Sequence, residues 1–218
     1  MSDHYELPNQ TIFIPVGLPC AGKSTFFREL IDLPGVGDNV ALVSPDDIRD
    51  ELYPGYSTGL VPFCDIDNPE VFSKANDRMD GHLLDGWDVW FDAVNTSLLA
   101  RDMIRYEAEA TRSSPEFTGG DLHYIIVDLD VPFTEIISRN ESRRAGHRRP
   151  PIETLELMRR QKETEGVGLT LGDHEVWNLT WDGGWRMADG FDAPPICVAL
   201  VDAVNDAFVG GRPVRRDR

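Results

Sequence analysis

Short apolar runs alternate along the chain with longer stretches in which apolar residues recur at helical spacing. This alternation is typical of a parallel sheet whose strands are joined by crossover helices. A chain of 218 residues is long enough for one domain, with at most a short appendage. We therefore expect an α/β fold with a parallel sheet of about five strands flanked by helices. The predicted strands are 11–16, 40–44, 88–92, 122–128 and 175–181, and the predicted helices are 23–32, 46–52, 69–85, 96–112, 132–142, 151–164 and 195–208.

The third predicted helix carries signals for its start and for its buried face. Asn68 is a residue type that caps helices, and Pro69 suits a first turn. Pro151 begins the sixth predicted helix in the same way. Residues 53–67 and 182–194, rich in Gly, Pro and Asp, are predicted to be loops. The predicted buried face of the third helix consists of Phe72, Ala75, Met79 and Leu83.

The segment GLPCAGKST, residues 17–25, lies between the first predicted strand and the first predicted helix. It fits G-x-x-x-x-G-K-[ST], the spacing of a phosphate-binding loop. The glycines let successive backbone N–H groups face one nest, and the helix N-terminus adds positive potential. Lys23 can then reach the β- and γ-phosphates, and the Ser24 hydroxyl can ligate Mg²⁺. The predicted nucleotide-binding residues of this loop are Gly17, Cys20, Ala21, Gly22, Lys23, Ser24 and Thr25, with Cys20 serving only as a small side chain.

Charged residues follow the second predicted strand, in the segment SPDDIRDEL. Asp46 and Arg49 are three residues apart at a helix start and should share a helix face. The carboxylate could accept a proton from an attacking hydroxyl, and the arginine could hold an acceptor phosphate. Asp47 competes with Asp46 for the role of base. The alternative is a helix cap with an ion pair between residues i and i+3.

Further polar residues follow the third and fourth predicted strands. Asp92 comes directly after an apolar run, as a magnesium-linked acid of a nucleotide-binding fold would, and Asn95 lies just beyond it. We predict both on the acceptor side; alternatively, Asn95 or Thr96 caps the next helix. Asp128 and Asp130 have the D-x-D spacing of aspartyl-phosphate phosphatases, but no matching downstream lysine motif is evident. We therefore interpret Asp130 as a helix cap.

The formal net charge of −17 disfavours broad, non-specific adhesion to nucleic acid. Positive charge is nevertheless concentrated in residues 139–149 and 212–218. Arg139 and Arg143 are four residues apart on one helix face, followed by Arg144 and a segment bounded by Gly and Pro. A phosphoryl-transfer enzyme needs such cations, and we predict an arginine lid. The alternative is a solvated basic helix end, and a solvated end is the interpretation of 212–218.

Other compositional features concern the cellular environment. Three widely spaced cysteines favour a reducing cytoplasm over a disulfide framework. No apolar run approaches the ~20 residues that cross a bilayer, and the polar start MSDHYELPNQ is not that of a signal peptide. We expect a cytoplasmic protein without membrane partners, in the host cytoplasm if a phage encodes it.

The motifs GLPCAGKST, SPDDIR, DAVN and DVPFTEIISRNESRR resemble, in order and spacing, those of the P-loop 5′-hydroxyl polynucleotide kinases, including the kinase domain of the bacteriophage enzyme. The resemblance covers roughly residues 10–165. It implies a P-loop kinase fold with an arginine lid, and we place the kinase core over 1–165 with the lid near 139–152. Residues 166–218 lie beyond the resemblance; we expect them to be an extension that completes the same domain, with simple packing as the alternative. The resemblance also implies transfer of a γ-phosphoryl group from ATP, or another NTP, with Mg²⁺.

The same resemblance implies individual roles. Asp46 corresponds to the family's general base, Arg49 to the arginine that contacts the acceptor phosphate, and Arg139 and Arg143 to lid arginines that contact donor phosphates. The sequence departs from the family in one acceptor-side segment, which is acidic here (FCDIDNPE), with only Lys74 and Arg78 nearby. Trp177, Trp181 and Trp185 match no family motif.

Three functions remain open on this basis. The first is a kinase acting on a nucleic-acid hydroxyl, most simply a 5′-OH end of DNA or RNA, with a hydroxymethylated base in DNA as a variant. The second is a kinase of a small molecule such as a nucleoside, sugar or antibiotic, which the acidic acceptor segment favours. The third is a nucleotide-dependent switch, which is weakened because the chain lacks an N-K-x-D guanine-reading motif.

Overall fold

The central strand of the fold is β1, whose six residues are all buried. In a computed structural model, which describes residues 10–36, 39–62, 65–143 and 148–209, β1 lies in a six-stranded sheet of order β2-β3-β1-β4-β5-β6. The first five strands are parallel to their neighbours, and β6 pairs antiparallel with β5. The strands are β1 (Thr11–Val16), β2 (Val40–Val43), β3 (Asp88–Phe91), β4 (His123–Asp130), β5 (Glu175–Trp181) and β6 (Trp185–Met187).

Seven helices connect or follow these strands in the described part of the chain. They are α1 (Lys23–Ile31), α2 (Pro45–Leu52), α3 (Asn68–Leu84), α4 (Leu98–Arg112), α5 (Phe133–Glu141), α6 (Ile152–Glu165) and α7 (Pro195–Val209). Among these described residues no helix combines the length and the apolar character needed to cross a membrane. The predicted α/β class is confirmed, and every predicted strand and helix is present within two residues of its predicted bounds, except that one further strand, β6, was not expected.

The two faces of the sheet bury separate apolar cores. Alternation along β1 sends Phe13 into one core and Ile12, Ile14 and Val16 into the other, as the twofold period of a strand requires. The first core also contains residues of α1, α5, α6 and α7, whereas the second contains residues of α2, α3 and α4. Burial on both faces explains why the strands are apolar runs rather than alternating sequences. The carboxyl ends of the central strands consequently meet at one edge.

Three local predictions were wrong. The cap of α3 is Asp67, which accepts a hydrogen bond from the Glu70 N–H, because the Asn68 side chain instead accepts from Arg49. Phe72 is exposed, and Val71 takes its predicted place on the buried face of α3. Asp130 does not cap α5, which begins after Pro132 without a side-chain cap.

Some predicted features fall outside the described residues or change character. Two predicted features lie outside the described residues: the centre of the predicted lid, which includes Arg144, and the basic tail 212–218. The predicted loop 182–194 contains β6, which forms a hairpin with β5 through Asp182, Gly183 and Gly184. The sheet therefore has six strands rather than about five.

Asp88 is the first residue of β3 and lies at the amino ends of the strands, away from the candidate site. Its protonation offers a test of the folded structure there. Its Oδ1 accepts a hydrogen bond from the Thr11 N–H at 2.6 Å, and burial raises the pKa of Asp88 from 3.8 to about 6. The folded protein thus holds this proton more tightly than the unfolded chain. The stability it contributes is full below pH ~4 and is lost as the pH rises through about 6.

We predict that the free energy of unfolding of the wild type falls by ~2 kcal/mol more than that of Asp88→Asn between pH 4.5 and 7.5. Urea denaturation of both proteins at both pH values measures the difference. Asp85→Asn, at an exposed position close by, serves as the control and should follow the wild type. An equal pH dependence in wild type and Asp88→Asn would show that Asp88 does not titrate in this range.

Candidate active site

The loop between β1 and α1 is held in a conformation that exposes backbone N–H groups. Gly22 caps α1 with a φ of 110°, and Cys20 also has a positive φ, 70°. A Cβ on Gly17 would lie 3.1 Å from the Cβ of Ala21 and 3.3 Å from that of Leu129, so a larger residue would not fit without a shift. The loop therefore has the tight turn and close packing that a phosphate nest requires.

Lys23 turns back into this loop. Its Nζ donates to the carbonyl oxygens of Gly17 at 2.8 Å and Leu18 at 3.1 Å. Burial lowers the pKa of Lys23, and the charges of Asp92 and Asp46 oppose this effect. The ammonium group thus lies within electrostatic reach of carboxylates that follow two different strands.

Ser24 and Asp92 are brought together from α1 and from the end of β3. The Ser24 hydroxyl donates to Oδ2 of Asp92 at 2.7 Å. Burial raises the pKa of Asp92, while Lys23 and the Ser24 hydrogen bond lower it. A hydroxyl and a carboxylate are hard oxygen donors that suit Mg²⁺, which usually takes few protein ligands and completes its shell with phosphates and water. No group of three or more His, Cys, Asp or Glu side chains in the described residues could hold a metal by itself.

Asp46 and Arg49 form the predicted pair on α2. Nη1 of Arg49 lies 2.7 Å from Oδ1 of Asp46, whose side chain is 73% exposed, whereas that of Arg49 is 10% exposed. The guanidinium also donates to Oδ1 of Asn68 from Nε at 3.2 Å and Nη2 at 2.9 Å. It lies 5.6 Å from the ring centres of Tyr56 and Phe72. Arg49 is therefore fixed, and the carboxylate beside it remains accessible.

The neighbouring carboxylate Asp47 has a different environment. Its backbone N–H donates to the Ser44 hydroxyl, which is the N-cap of α2. Asp46 is among the charges that raise the pKa of Lys23, which places it on the side of the phosphate-binding loop. Both Asp46 and Asp47 also raise the pKa of Asp92 through their charges, so the choice of Asp46 over Asp47 as the base stays a prediction.

The two arginines predicted for the lid, Arg139 and Arg143, differ in their contacts: among the described residues, only Arg139 of the two hydrogen-bonds to the phosphate-binding loop, whereas Nη1 of Arg143 donates to the Arg148 carbonyl oxygen at 2.6 Å. Nη1 of Arg139 donates to the carbonyl oxygen of Cys20 at 3.3 Å, and its guanidinium lies 4.4 Å from the ring centre of Trp181. Glu135 holds Nε of the same arginine at 2.7 Å. Arg143 lies close enough to lower the pKa of Lys23 through its charge.

Asn95 is buried, and its side chain is engaged by the backbone. Its Nδ2 donates to the carbonyl oxygens of Pro15 at 2.9 Å and Phe91 at 3.2 Å. The cap of α4 is Ser97, so the alternative role of Asn95 or Thr96 as a helix cap is wrong. An acceptor contact by Asn95 stays a prediction.

Comparison with known proteins places this site in a family. A family model described as an AAA domain (AAA_33) matches residues 12–164, more than half of the chain. The chain belongs to this AAA-domain family. No curated protein matches the sequence.

Solved structures share the fold of this AAA-domain protein. A kinase candidate from Chloroflexus aurantiacus aligns with a TM-score of 0.57 and 17% identity, covering 94% of this chain and all (100%) of the other. A chain of the Pnkp1/Rnl/Hen1 RNA repair complex aligns with a TM-score of 0.52 and 23% identity, covering 73% of this chain and 46% of the other. The chain thus spans less than half the length of the Pnkp1/Rnl/Hen1 chains that it matches, 41% and 46%. The predicted P-loop kinase fold is confirmed at this level.

Several residues of the AAA-domain site were not assigned a role from the sequence. Arg148 lies 4.5 Å from the ring centre of Tyr56, and its Nη1 donates to the Val61 carbonyl oxygen at 3.2 Å. Its backbone N–H donates to the Ser57 carbonyl oxygen at 2.6 Å. The arginine-rich composition of 139–149 was a signal for a lid, but nothing local indicated a contact with residues 56–61.

The phosphate-binding loop gives a direct test. Lys23→Ala should lower any nucleotide-dependent phosphoryl transfer by at least ~10²-fold, because it removes a cation aimed at the transferring group. Steady-state assays and nucleotide titration measure the loss. Lys74→Ala, at an exposed position on α3, is the matched control and should behave as wild type toward nucleotide. A folded Lys23→Ala protein with near-normal turnover would contradict the loop assignment.

Proposed function

We propose that the protein is an NTP-dependent kinase that transfers the γ-phosphoryl group, most simply of ATP, to a hydroxyl of a nucleic acid, with the 5′-OH end of DNA or RNA as the preferred acceptor. The observation that carries this proposal is that two carboxylates flank the phosphate-binding loop: Asp92 accepts from Ser24 of that loop at 2.7 Å, and the exposed Asp46 pairs with Arg49 at 2.7 Å. The charges of both act on Lys23. An accessible carboxylate near a phosphate-binding loop, with a fixed arginine beside it, has the composition that transfer to an alcohol needs. A nucleotide-dependent switch does not require the Asp46–Arg49 pair.

The residues divide the reaction between them. Lys23 and Arg143 offset negative charge on the transferring phosphoryl group, and Arg139 contacts the donor side of the loop. Asp46 accepts the proton of the acceptor hydroxyl. The hydroxyl oxygen bonds to the γ-phosphorus while the bond between that phosphorus and the leaving diphosphate breaks. Ser24 and Asp92 would hold Mg²⁺, which supplies charge neutralisation at the donor phosphates when bound.

The surroundings of Arg49 support a nucleic-acid acceptor. The guanidinium groups of Arg49 and Arg148 lie against Tyr56, and Phe72 lies against Arg49 on the exposed surface of α3. Exposed aromatic rings such as that of Phe72 stack on unpaired bases, and arginine binds phosphate. We propose that Arg49 holds the phosphate that follows the terminal nucleoside, and that Asp92 and Asn95 border the acceptor. The RNA repair complex, similar in fold, fits this acceptor class.

A kinase of a small molecule, or of a hydroxymethylated base in DNA, is the second candidate. Acidic residues Asp65, Asp67 and Glu70 border the acceptor side, and Glu51 there pairs with Arg78. Such a border would repel a long polyanion but not a neutral sugar or nucleoside. An acceptor panel with labelled ATP separates these candidates: 5′-OH oligonucleotides, duplexes with hydroxymethylated bases, nucleosides, sugars and aminoglycosides.

We further propose that residues 166–218 complete the kinase domain rather than form a second unit. β5 and β6 extend the same sheet beyond β4, and α7 packs into the same core as α1. Trp181 and Trp185 then belong to the donor side of the site. Trp185 packs edge-to-face against Phe26 of α1, with ring centres 4.9 Å apart.

The role of Asp46 leads to a ranking of two neighbouring substitutions. Asp46→Asn should lower kcat by ~10²–10⁴, the usual range for loss of a positioned base, whereas Asp47→Asn should have a much smaller effect. Both variants carry the same change in charge, so each is the control for the other. A reversed ranking transfers the role of base to Asp47, and two mild effects contradict a carboxylate base.

The role of Arg49 leads to a salt dependence. Each phosphate neutralised contributes about −0.9 for a duplex, or about −0.7 for a single strand, to the log–log slope of affinity against salt. Because most of the surface is acidic, we expect two or three contacts and a slope of about −2. Arg49→Ala should reduce its magnitude by about one contact and raise the KM for the oligonucleotide more than that for ATP.

Asn68→Ala is the control for this measurement, since it removes the structural partner of Arg49 and leaves the guanidinium in place. It should keep the wild-type slope. An oligonucleotide KM that is independent of salt, and unchanged in Arg49→Ala, would contradict the nucleic-acid acceptor. Turnover of a sugar or nucleoside without turnover of oligonucleotides would favour the second candidate.

A further inference from the structure

Arg101 of α4 is fully buried and donates only to backbone carbonyl oxygens. Nη1 donates to Asn95 at 2.9 Å and to Thr96 at 3.1 Å. Nε donates to Gly168 at 2.9 Å, and Nη2 to Gly166 at 2.8 Å. The guanidinium therefore joins two backbone segments that are about 70 residues apart in sequence, the loop after β3 and the end of α6.

Burying the charge of Arg101 costs free energy, so the position calls for a role other than stability. Among the described residues no carboxylate lies within ion-pair distance of Arg101, and Glu165, Asp102 and Asp128 act on it only from further away. A buried cation that lacks a direct counter-ion contributes little to stability compared with an apolar side chain of similar volume. Its planar fork can instead hold several carbonyl groups in one fixed geometry.

The loop that Arg101 holds also carries Asp92. Within this loop, which spans residues 92–96, the Val94 carbonyl oxygen accepts from the Gly17 N–H at 3.2 Å. Asn95, with a φ of 51°, donates to the carbonyl oxygen of Pro15. The loop is thereby attached to the end of β1 and to the first residue of the phosphate-binding loop. Its position sets the distance between Asp92 and Ser24.

The other segment held by Arg101 follows α6, the helix after the lid. Gly166 is the C-cap of α6, and a guanidinium at this end satisfies a carbonyl group that lacks a helical partner. α6 makes further contacts with the same region: Gln161 accepts from the Thr96 hydroxyl at 3.2 Å, and Lys162 pairs with Asp128 at 2.6 Å. Arg101 thus couples the helix behind the lid to the loop that carries Asp92.

We propose that Arg101 is a positioning residue that holds Asp92 against Ser24 in the geometry that binds Mg²⁺ with the nucleotide. This inference rests on the donor half of the proposed function, nucleotide binding with Mg²⁺, and is independent of the acceptor. Arg101 acts through the backbone of residues 95 and 96, and its own N–H groups are engaged away from the reacting atoms. Residues that support metal ligands in this way commonly change metal affinity by ~10–100-fold.

The test is nucleotide binding without catalysis. ATP is titrated into wild type and Arg101→Lys, with Mg²⁺ and with EDTA, and binding is followed by tryptophan fluorescence or calorimetry. Lysine keeps the charge but cannot hold both segments. We expect the gain in affinity produced by Mg²⁺ to fall by ~10-fold or more, and the affinity in EDTA to change by less than ~2-fold, which is about 0.4 kcal/mol.

Ile104→Ala is the matched control for lost stability. Ile104 is buried on the same helix in the second core, and its removal should lower the urea midpoint while leaving the effect of Mg²⁺ unchanged. In the Asp92→Asn background, Arg101→Lys should cause no further loss of the Mg²⁺ effect, since both act through one carboxylate. Additive losses, or an equal loss in EDTA, would overturn the proposal.

A second variant covers the case in which Arg101→Lys does not fold. Asn95→Ala removes the attachment of the same loop to Pro15 and should also reduce the Mg²⁺ effect alone. An unchanged Mg²⁺ effect in a folded Asn95→Ala protein would overturn the proposal. Because no acceptor is present, a wrong acceptor leaves this result intact, whereas a wild type that binds no nucleotide with Mg²⁺ contradicts the proposed function itself.

Discussion

The attachment of the loop after β3 to the end of β1 is the constraint on which the site depends. Two hydrogen bonds make it, from the Gly17 N–H to the Val94 carbonyl oxygen and from the Asn95 amide to the Pro15 carbonyl oxygen. β1 and β3 are already adjacent in the sheet, so these bonds extend their pairing past the strand ends. Asp92 is consequently delivered to Ser24 by backbone geometry rather than by a flexible side chain. Asn is one of the few residue types that tolerate the left-handed conformation this requires at residue 95.

The charges around Lys23 determine which ligand the phosphate-binding loop favours. Lys23 and Asp92 are both partly buried, and burial disfavours the charged form of each, but each charge lies close enough to the other to oppose that effect. Arg143 and Asp46 add one charge of each sign around the same lysine. In a chain with a formal charge of −17, the cations of this region are the exception, and those of Lys23 and Arg139 donate to carbonyl oxygens of the phosphate-binding loop. Local positive potential of this kind attracts a nucleotide even when the whole protein is strongly acidic.

The sequence predicted the elements well where periodicity and spacing are local. β1 and β5 have their predicted bounds, and the phosphate-binding motif lies between a strand and a helix as its spacing required. The predictions fail where a contact with a residue distant in sequence determines the local structure. Asn68 is unavailable as a cap because Arg49, nineteen positions earlier, takes its side chain. β6 was missed because its three residues are too few to show a period, although Asp182-Gly183 before it is a recognised hairpin signal.

Arg101 illustrates the same limit for the site. An arginine within an amphipathic helix is usually a solvated residue, and its partners here lie five to six residues away on one side and 65 to 67 on the other. No local pattern can reveal that pairing. The proposed base, the proposed metal ligands and the phosphate-binding loop could be predicted because each belongs to a short motif at a strand end.

The two described ends of the basic segment 139–149 contact different parts of the candidate site. Arg139, at the end of α5, donates to the Cys20 carbonyl oxygen in the phosphate-binding loop. Arg148, on the far side of the segment, contacts Tyr56, whose other neighbour is Arg49. Asn140 joins the two ends, since it is buried and donates to the Pro150 carbonyl oxygen at 3.0 Å. One buried amide thus joins the stretch of chain that reaches the phosphate-binding loop to the stretch that reaches Tyr56 and, through it, the surroundings of Arg49.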